Sequence, residues 1–373
     1  MALKTTTPFY TKLAMVLISM IALGYLVING KEILSPLMFS LLFSILLLPL
    51  AQFFENRVRL PRSAACGISV LLMVATIGLI LYFIGSQISN LAKDWPQLRN
   101  QVINSFGNFQ DWIADRFNIN ADKQMSYVNS ATKKILSDST AAIGTTVLSL
   151  SSVLLFLIFM LIDTFFLLVY RRLLLRFLVA AFKKENSEVV YDIVKRIQFI
   201  IRKYITGIFL EMSIVAGVVC TVFFIGGIKY ALLLGLITGL FNIIPYIGIF
   251  TALLLSVLIT FSTAALGKVL LVAITIVAMH IIDSNLLLPL IVGSKVRINA
   301  LITILGVITG EMLWGIPGMF LSIPIIAMSK IIFDRIESMK PWGILLGDDT
   351  EENTSKEEIL ERKGDAPEAE VAG

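Results

Sequence analysis

The sequence is poor in charge, since only 15% of its 373 residues are acidic or basic and 57% are hydrophobic. Soluble domains carry about 25% charged residues. The chain has one histidine, and its two cysteines, Cys66 and Cys220, lie inside apolar runs. This pattern suggests neither a disulfide framework nor a metal site. No nucleophile elbow, phosphate loop or zinc-protease motif occurs in the sequence. We therefore expect no enzyme, no cofactor and no bound metal.

Several apolar runs reach the roughly 20 residues that a helix needs to cross a bilayer. We predict an all-α polytopic membrane protein with about eight membrane segments, the lipid bilayer being its first partner. The first run is not followed by a small-residue cleavage motif, so we expect it to be retained as a span. The net charge of +5 conceals an acidic tail, because residues 348–373 hold ten acidic and three basic residues. Such a charge distribution requires no nucleic acid partner.

Basic residues cluster in two places that flank predicted spans, at 55–62 and at 171–203. Since cytoplasmic loops are enriched in lysine and arginine, we place both on the cytoplasmic side, together with both termini. Residues 86–144 then lie on the opposite side. Apolar residues recur there every three or four positions from Leu91 to Phe117, which predicts an amphipathic helical insert. Its stripe could cover the membrane surface, the spans or a neighbouring subunit.

Two long apolar stretches, 230–261 and 299–329, are interrupted near their middles by proline and glycine. Asn242, Pro245 and Gly248 interrupt the first stretch, and Gly310 to Gly318 interrupts the second. Proline removes a helical hydrogen bond, and the freed backbone must be satisfied by protein or by a water-lined cavity. Transporters commonly bind substrates and coupling ions at such broken helices.

The broken stretches could be full crossings or re-entrant hairpins, and we favour hairpins. Most of their arms are predicted to be 11 to 13 residues long, about 18 Å as helix, which is too short to span. The distal arm of the first stretch is the exception. Hairpins would also return Lys295 and Arg297 to the cytoplasm. Two hairpins that enter from opposite faces would meet near the midplane of the membrane.

Ionisable side chains inside spans are expensive and usually functional. We single out Asp283 and Glu311, because both lie beside helix breaks where they could meet backbone N–H groups or a cation. Secondary candidates are Asp163, Glu211 and His280. His280 and Asp283 share a helix face and could relay protons. Equally, His280 could only hydrogen-bond Asp283 or a backbone carbonyl.

Three motifs together resemble the autoinducer-2 exporter family. They are Asn242-Ile-Ile-Pro245-Tyr-Ile-Gly248, then Asp283-Ser-Asn285-Leu-Leu-Leu-Pro289-Leu-Ile-Val-Gly293, then Gly310 to Gly318 with Trp314 and Pro317, followed by Pro324. Ile249 and Asn299 depart from the resemblance, because many members have proline at these places. The resemblance implies a bacterial inner-membrane transporter that forms homo-oligomers. Members are linked to export of autoinducer-2 and to sodium–proton exchange.

We therefore expect an exporter of a small polar solute. The alternatives are a sodium–proton antiporter of the same family and, from another class, a non-transporting membrane scaffold. The coupling partner would be a sodium ion or a proton. The candidate residues of the substrate or ion path are Asn242, Pro245, Gly248, Asp283, Asn285, Pro289, Glu311 and Pro317.

The predictions divide the chain into six parts. They are the first three spans (1–85), the amphipathic insert (86–144), the fourth span (145–170), the basic cytoplasmic helical segment (171–203), the transport core with two broken-helix hairpins (204–335) and the acidic, disordered cytoplasmic tail (336–373).

Overall fold

The computed structural model describes residues 8–94, 96, 121–182, 186–243, 247–287, 290 and 298–348, with side chains described outside 121–150 and 247. Several predictions fall outside these residues. Pro245, Pro289, Lys295 and Arg297 are among them, as are most of the apolar stripe before Phe117 and the tail from residue 349.

The described part of the chain folds into helices and contains no strand. The helices are α1 (Phe9–Asn29), α2 (Lys31–Asn56), α3 (Arg62–Lys93), α4 (Ala121–Ala181), α5 (Ser187–Ile225), α6 (Ala231–Phe241), α7 (Ile247–Phe261), α8 (Leu266–Ile282), α9 (Ala300–Trp314), α10 (Ile316–Arg335) and α11 (Lys340–Leu346), with a π-turn at Asp283–Leu287 and a 3-10 turn at Glu337–Met339.

Seven described segments are long and apolar enough to cross a membrane, and these are α1, α2, α3, residues 151–181 of α4, α5, α8 with its π-turn, and α10. Three shorter apolar helices, α6, α7 and α9, accompany them. The prediction of an all-α polytopic membrane protein is therefore confirmed.

Two helices continue through boundaries that we had drawn from composition. The 61 residues of α4 join the end of the insert, the fourth span and the start of the basic segment. The 39 residues of α5 join the rest of that segment to the fifth span. Neither helix contains a proline. A change from polar to apolar residues alters whether a helix prefers water or lipid, but it does not break the backbone hydrogen bonds. The helices therefore continue across the predicted boundaries.

The chain forms two compact units. The first comprises residues 1–39, 170–204 and 294–373, and the second comprises residues 40–169 and 205–293.

In the first unit, α9 and α10 form an antiparallel helical hairpin around Gly315, whose φ of 69° lies in the left-handed region. Gly310 and Gly318 face each other so closely that a Cβ on either would collide with the carbonyl oxygen of the other. At the start of the hairpin, Asn299 caps α9 by accepting a hydrogen bond from the Leu301 N–H at 2.9 Å. An asparagine that departs from the family pattern therefore supplies a helix cap.

The arm lengths of this hairpin correct a prediction. We expected arms of 11 to 13 residues, whereas α9 has 15 residues and α10 has 20. The second arm is longer because Pro317 lies in the first turn of α10, where proline is tolerated, and the helix continues past Pro324 to Arg335. At about 1.5 Å per residue, α10 is long enough to cross a hydrocarbon core, and α9 is not.

In the second unit, α5, α6 and α8 surround an apolar core that includes Phe223, Leu233 and Ile276. The α5 and α6 backbones approach closely because Gly239 faces Ala216. A Cβ at Gly239 would lie 2.7 Å from the Ala216 Cβ, which is too near for a side chain. Small residues at such contacts are the usual basis of close helix packing in membranes.

A polar contact at the end of α3 connects it to the loop between α5 and α6. Asp94 accepts a hydrogen bond from the Tyr230 hydroxyl at 2.5 Å and pairs with the Lys229 ammonium at 2.6 Å. The hydrogen bond from Lys229, with that from Tyr230, holds the pKa of Asp94 below its usual value. The same contact raises the pKa of Lys229.

Candidate functional site

Three elements of the second unit bring two acidic side chains and one amide together. Glu211 lies in α5, Asn242 directly follows α6, and Asp283 begins the π-turn after α8. We call these three residues the carboxyl–amide cluster. Glu211 is 6% exposed and Asp283 is 5% exposed, so both carboxyl groups lie inside the unit.

The Asn242 side chain joins the two carboxyl groups. Its Nδ2 donates to Oε1 of Glu211 at 2.9 Å and to Oδ2 of Asp283 at 3.0 Å. Carboxylate oxygens can only accept, so the amide must present its NH2 group and not its oxygen to them. Both carboxyl groups therefore lie within hydrogen-bond distance of the same nitrogen atom.

Two buried carboxylates so close together repel each other, and burial adds a large desolvation penalty to each charge. The Asn242 amide offsets part of this cost but carries no net charge. Among the described residues that line the adjacent cavity, none is a lysine or an arginine. The pair can therefore lower its energy by holding one proton between the carboxyl groups or by binding a cation.

A small cavity adjoins the cluster and has room for about one water molecule. Its walls carry polar groups from Thr238, Asn242, His280 and Asp283 among apolar side chains. Two of these groups, the Asp283 Oδ1 and the His280 Nδ1, are buried and have no hydrogen-bond partner within the described part of the chain. Unpaired buried polar atoms are rare in folded proteins and indicate a place where a water or an ion binds.

The local backbone explains how the cluster forms. The break after α6 frees Asn242 from a regular helix, and α7 starts only five residues later. Gly248 is required next to this break, because a Cβ there would collide with the carbonyl oxygen of Phe241. The π-turn that begins at Asp283 widens the helix end, a distortion often found at functional sites.

The other predicted residues lie elsewhere. Glu311 is exposed on α9 in the first unit, and Pro317 opens α10 there. Asn285 is exposed, and its amide donates to the carbonyl of Ile281 at 2.8 Å. Asp163 is partly buried in α4. None of these four side chains belongs to the carboxyl–amide cluster.

Sequence reasoning ranked one member of the cluster too low. Glu211 was only a secondary candidate, because it lies in an unbroken helix without any local motif. Thr238, which lines the cavity, was missed altogether. It lies four residues before Asn242, and therefore one helical turn away on the same face of α6. That spacing could have identified it.

Among the described residues, no set of three or more acidic, histidine or cysteine side chains could hold a metal ion. A monovalent cation needs fewer charged ligands. Oxygen atoms of Asp283 and Glu211 could contribute to binding one, with the Asn242 side chain turned so that its oxygen faces the ion.

The profile of the AI-2E family transporters matches residues 13–338, which include the second unit, most of the first and the whole cluster. The chain belongs to the AI-2E transporter family.

Two relatives of known name resemble the chain over most of their lengths. The "Putative transport protein YrrI" of Bacillus subtilis (strain 168) is 26% identical over 319 residues, covering 83% of this chain and 88% of the relative. The "AI-2 transport protein TqsA" of Escherichia coli (strain K12) is 24% identical over 340 residues, covering 88% of this chain and 95% of the relative.

As a member of the AI-2E family, the chain is a multi-pass membrane transporter and not an enzyme. The resemblance to this family that the sequence motifs indicate is therefore confirmed, as is the expectation that the protein is not an enzyme. It also gives the carboxyl–amide cluster a functional context, because buried ionisable groups in transporters commonly mark ion and substrate paths.

Proposed function

We propose that the protein is an ion-coupled transporter of the bacterial inner membrane that moves a small polar solute outward. Coupling takes place at Glu211 and Asp283. One observation carries the proposal, namely that a single Asn242 nitrogen binds two buried carboxyl groups. This arrangement stores one proton or one cation, and its energy changes when that charge leaves.

The cluster lies where a conformational change would act on it. Asn242 follows the end of α6, so any movement of α6 relative to α5 and α8 changes its distance to both carboxyl groups. Separation of the carboxyl groups would favour release of the proton, and their approach would favour uptake. A protein whose ion affinity differs between two conformations can couple the ion to transport of a solute.

The nature of the solute is inferred from the relatives. The printed name of TqsA assigns AI-2 transport to that protein, which supports a small polar organic solute for this chain. The cavity beside the cluster has room for about one water molecule, so we place the solute outside this cavity.

The test uses purified protein in liposomes loaded with AI-2 or other small polar solutes. A pH gradient or a sodium gradient is imposed, and solute flux is measured. We expect the wild type to respond to one of the gradients and Glu211→Gln to lose that response. A matched control is Ser213→Ala, an exposed position on α5 where the hydroxyl bonds only the Phe209 carbonyl of its own helix. Gradient-driven flux that is unchanged in Glu211→Gln would refute the proposal.

A sodium–proton antiporter is the second candidate, and the size of the cavity favours it. A space for about one water molecule fits a dehydrated sodium ion better than an organic solute. The same liposomes, loaded with a pH-sensitive dye and no solute, distinguish the two. A sodium pulse would change the internal pH of an antiporter, whereas an exporter would respond only when solute is present. A scaffold protein would show neither effect.

The proposal includes a topology in which both termini are cytoplasmic and the broken stretches enter as hairpins. The 15-residue lengths of α7 and α9 support incomplete crossings, because each spans only about 22 Å. The 20-residue α10 is long enough to cross and must tilt or extend beyond the hydrocarbon if its hairpin is re-entrant. We further propose a homo-oligomer. Native mass spectrometry in mild detergents should give a mass above that of one chain.

A further inference from the structure

The His280 side chain lies between the buried cluster and the exposed surface of α8. Its Nε2 lies 3.4 Å from the hydroxyl of Ser284, on the exposed side. Its Nδ1 is buried, has no partner within the described residues, and belongs to the wall of the cavity. The imidazole ring therefore has one nitrogen on the exposed side of α8 and the other in the buried interior.

The surface beside Nε2 carries two exposed polar side chains, Ser284 and Asn285, among exposed apolar ones such as Ile281 and Leu286. All of them lie in the candidate span Leu266–Leu287. An ionisable side chain in a span, such as His280, commonly faces the interior of a bundle or a water-filled space and not lipid. The Ser284 side of the ring is therefore the side on which a proton would arrive from water.

On the inner side, His280 and Asp283 both line the cavity, and the Nδ1 of the first and the Oδ1 of the second are buried without a partner among the described residues. A water molecule in a protein needs two to four polar partners, as a rough guide. Here it would have the imidazole, the carboxylate and the hydroxyl of Thr238, which donates to the Leu234 carbonyl but can still accept. The cavity thus fits one bridging water.

We propose that His280 carries protons between the exposed face of α8 and the Glu211–Asp283 pair. The inference rests on the proposed function and adds the route by which the coupling proton travels. Imidazole suits this role, because it exchanges protons near neutral pH and has two separate nitrogen atoms.

The proton transfer balances as follows. A proton binds to Nε2, and the proton on Nδ1 passes to the bridging water, which gives one of its own protons to the Asp283 carboxylate. The ring is neutral again, with its hydrogen now on Nε2. When the carboxyl pair releases its proton in the other half of the cycle, the same steps run in reverse and restore the first tautomer.

The surroundings of the ring favour a proton that moves inward. Asp283 of the π-turn is the acidic group on the described wall of the cavity, and Glu211 of α5 binds the Asn242 amide, which also belongs to that wall. The remaining wall residues, from α5, α6, α7 and α8, are Val215, Thr238, Asn242, Ile249, Ile276 and Met279, none of which is charged. A protonated imidazole is thus attracted by the acids, with no described lysine or arginine on the wall to oppose it.

The test compares His280→Gln and His280→Ala with the wild type in liposomes. Glutamine keeps a polar side chain that does not titrate, and alanine leaves space for free imidazole. We expect both variants to lose gradient-driven flux, on the order of a hundredfold, which is the lower end of what a positioned proton-transfer group contributes. Counterflow, in which labelled solute exchanges for unlabelled solute without net proton movement, should fall less than driven flux in both variants. Added imidazole should restore driven flux in His280→Ala and not in His280→Gln.

Three results would overturn the inference. The first is driven flux at the wild-type rate in His280→Gln. The second is an equal loss of counterflow and driven flux, which would assign the ring a packing role. The third is no effect of imidazole on His280→Ala. The proposed function fails separately, if Glu211→Gln keeps its response to the gradient whatever the His280 variants do.

Discussion

The Asn242 side chain is the part of the cluster for which the energetic cost of removal follows most directly from the structure. Asn242→Leu keeps a similar side-chain size and removes both bonds from Nδ2, at 2.9 Å to Glu211 and 3.0 Å to Asp283. A hydrogen bond to a charged group contributes about 1.5–3 kcal/mol to stability. Because the pair holds one proton, one acceptor is charged and the other is neutral, and a bond to a neutral group contributes about 0.5–1.5 kcal/mol. Loss of both bonds should therefore lower the free energy of unfolding by about 2–4.5 kcal/mol.

The assay is thermal unfolding of the purified protein in detergent. At about 2 °C per kcal/mol, the value for larger domains, the unfolding midpoint should fall by about 4–9 °C.

A matched control is Thr275→Val in α8, which removes a partly buried hydroxyl bonded only to the Leu271 carbonyl of its own helix. We expect that variant to shift the midpoint by less than about 2 °C, because the carbonyl keeps its backbone partner. A shift in Asn242→Leu no larger than that of this control would show that the amide does not stabilise the carboxyl pair.

Three further predictions concern the rest of the molecule. Gly248→Ala should abolish transport, because the added Cβ would collide with the carbonyl of Phe241 at the end of α6. Gly217→Ala should keep transport, because its Cβ would meet open space. Equal flux in the two variants would contradict the close contact of Gly248 with α6. Asp94→Asn should lower the unfolding midpoint by a constant amount between pH 3.8 and pH 10.5, which are the ordinary pKa values of Asp94 and Lys229. The lowered pKa of Asp94 adds stability above pH 3.8, and the raised pKa of Lys229 adds stability below pH 10.5. A difference between the variant and the wild type that persists well below pH 3.8 would exclude the ion pair as its cause. A cysteine at Lys295 should react with a membrane-impermeant reagent only after cells are permeabilised, and labelling of intact cells would disprove the hairpin topology.

The fold class and the family could be predicted because both depend on features that recur along the chain. Apolar runs of about 20 residues specify membrane helices without knowledge of their neighbours. Proline and glycine mark the breaks before Gly248 and at Gly315, since few other residues permit such backbones. The length of α10 was mispredicted because a proline inside a helix, such as Pro324, does not necessarily end it.

The assembly of the site could not be predicted in the same way. Asn242 and Asp283 were identified because they lie beside breaks, but Glu211 lies in an uninterrupted helix. Its role depends on the packing of α5 against α6, which Gly239 makes close. The contact of His280 with Ser284, by contrast, has the i, i+4 spacing of a regular helix and could have been predicted from the sequence.

The claim that Glu211 and Asp283 couple an ion to transport is tested most directly by one comparison in Asp283→Asn. Asparagine has nearly the same shape as aspartate but cannot exchange a proton near neutral pH. Gradient-driven net flux and counterflow are measured in the same liposomes as for the wild type. The account predicts that driven flux is lost while counterflow persists, with an unfolding midpoint close to that of the wild type. Driven flux at the wild-type rate in Asp283→Asn would contradict it.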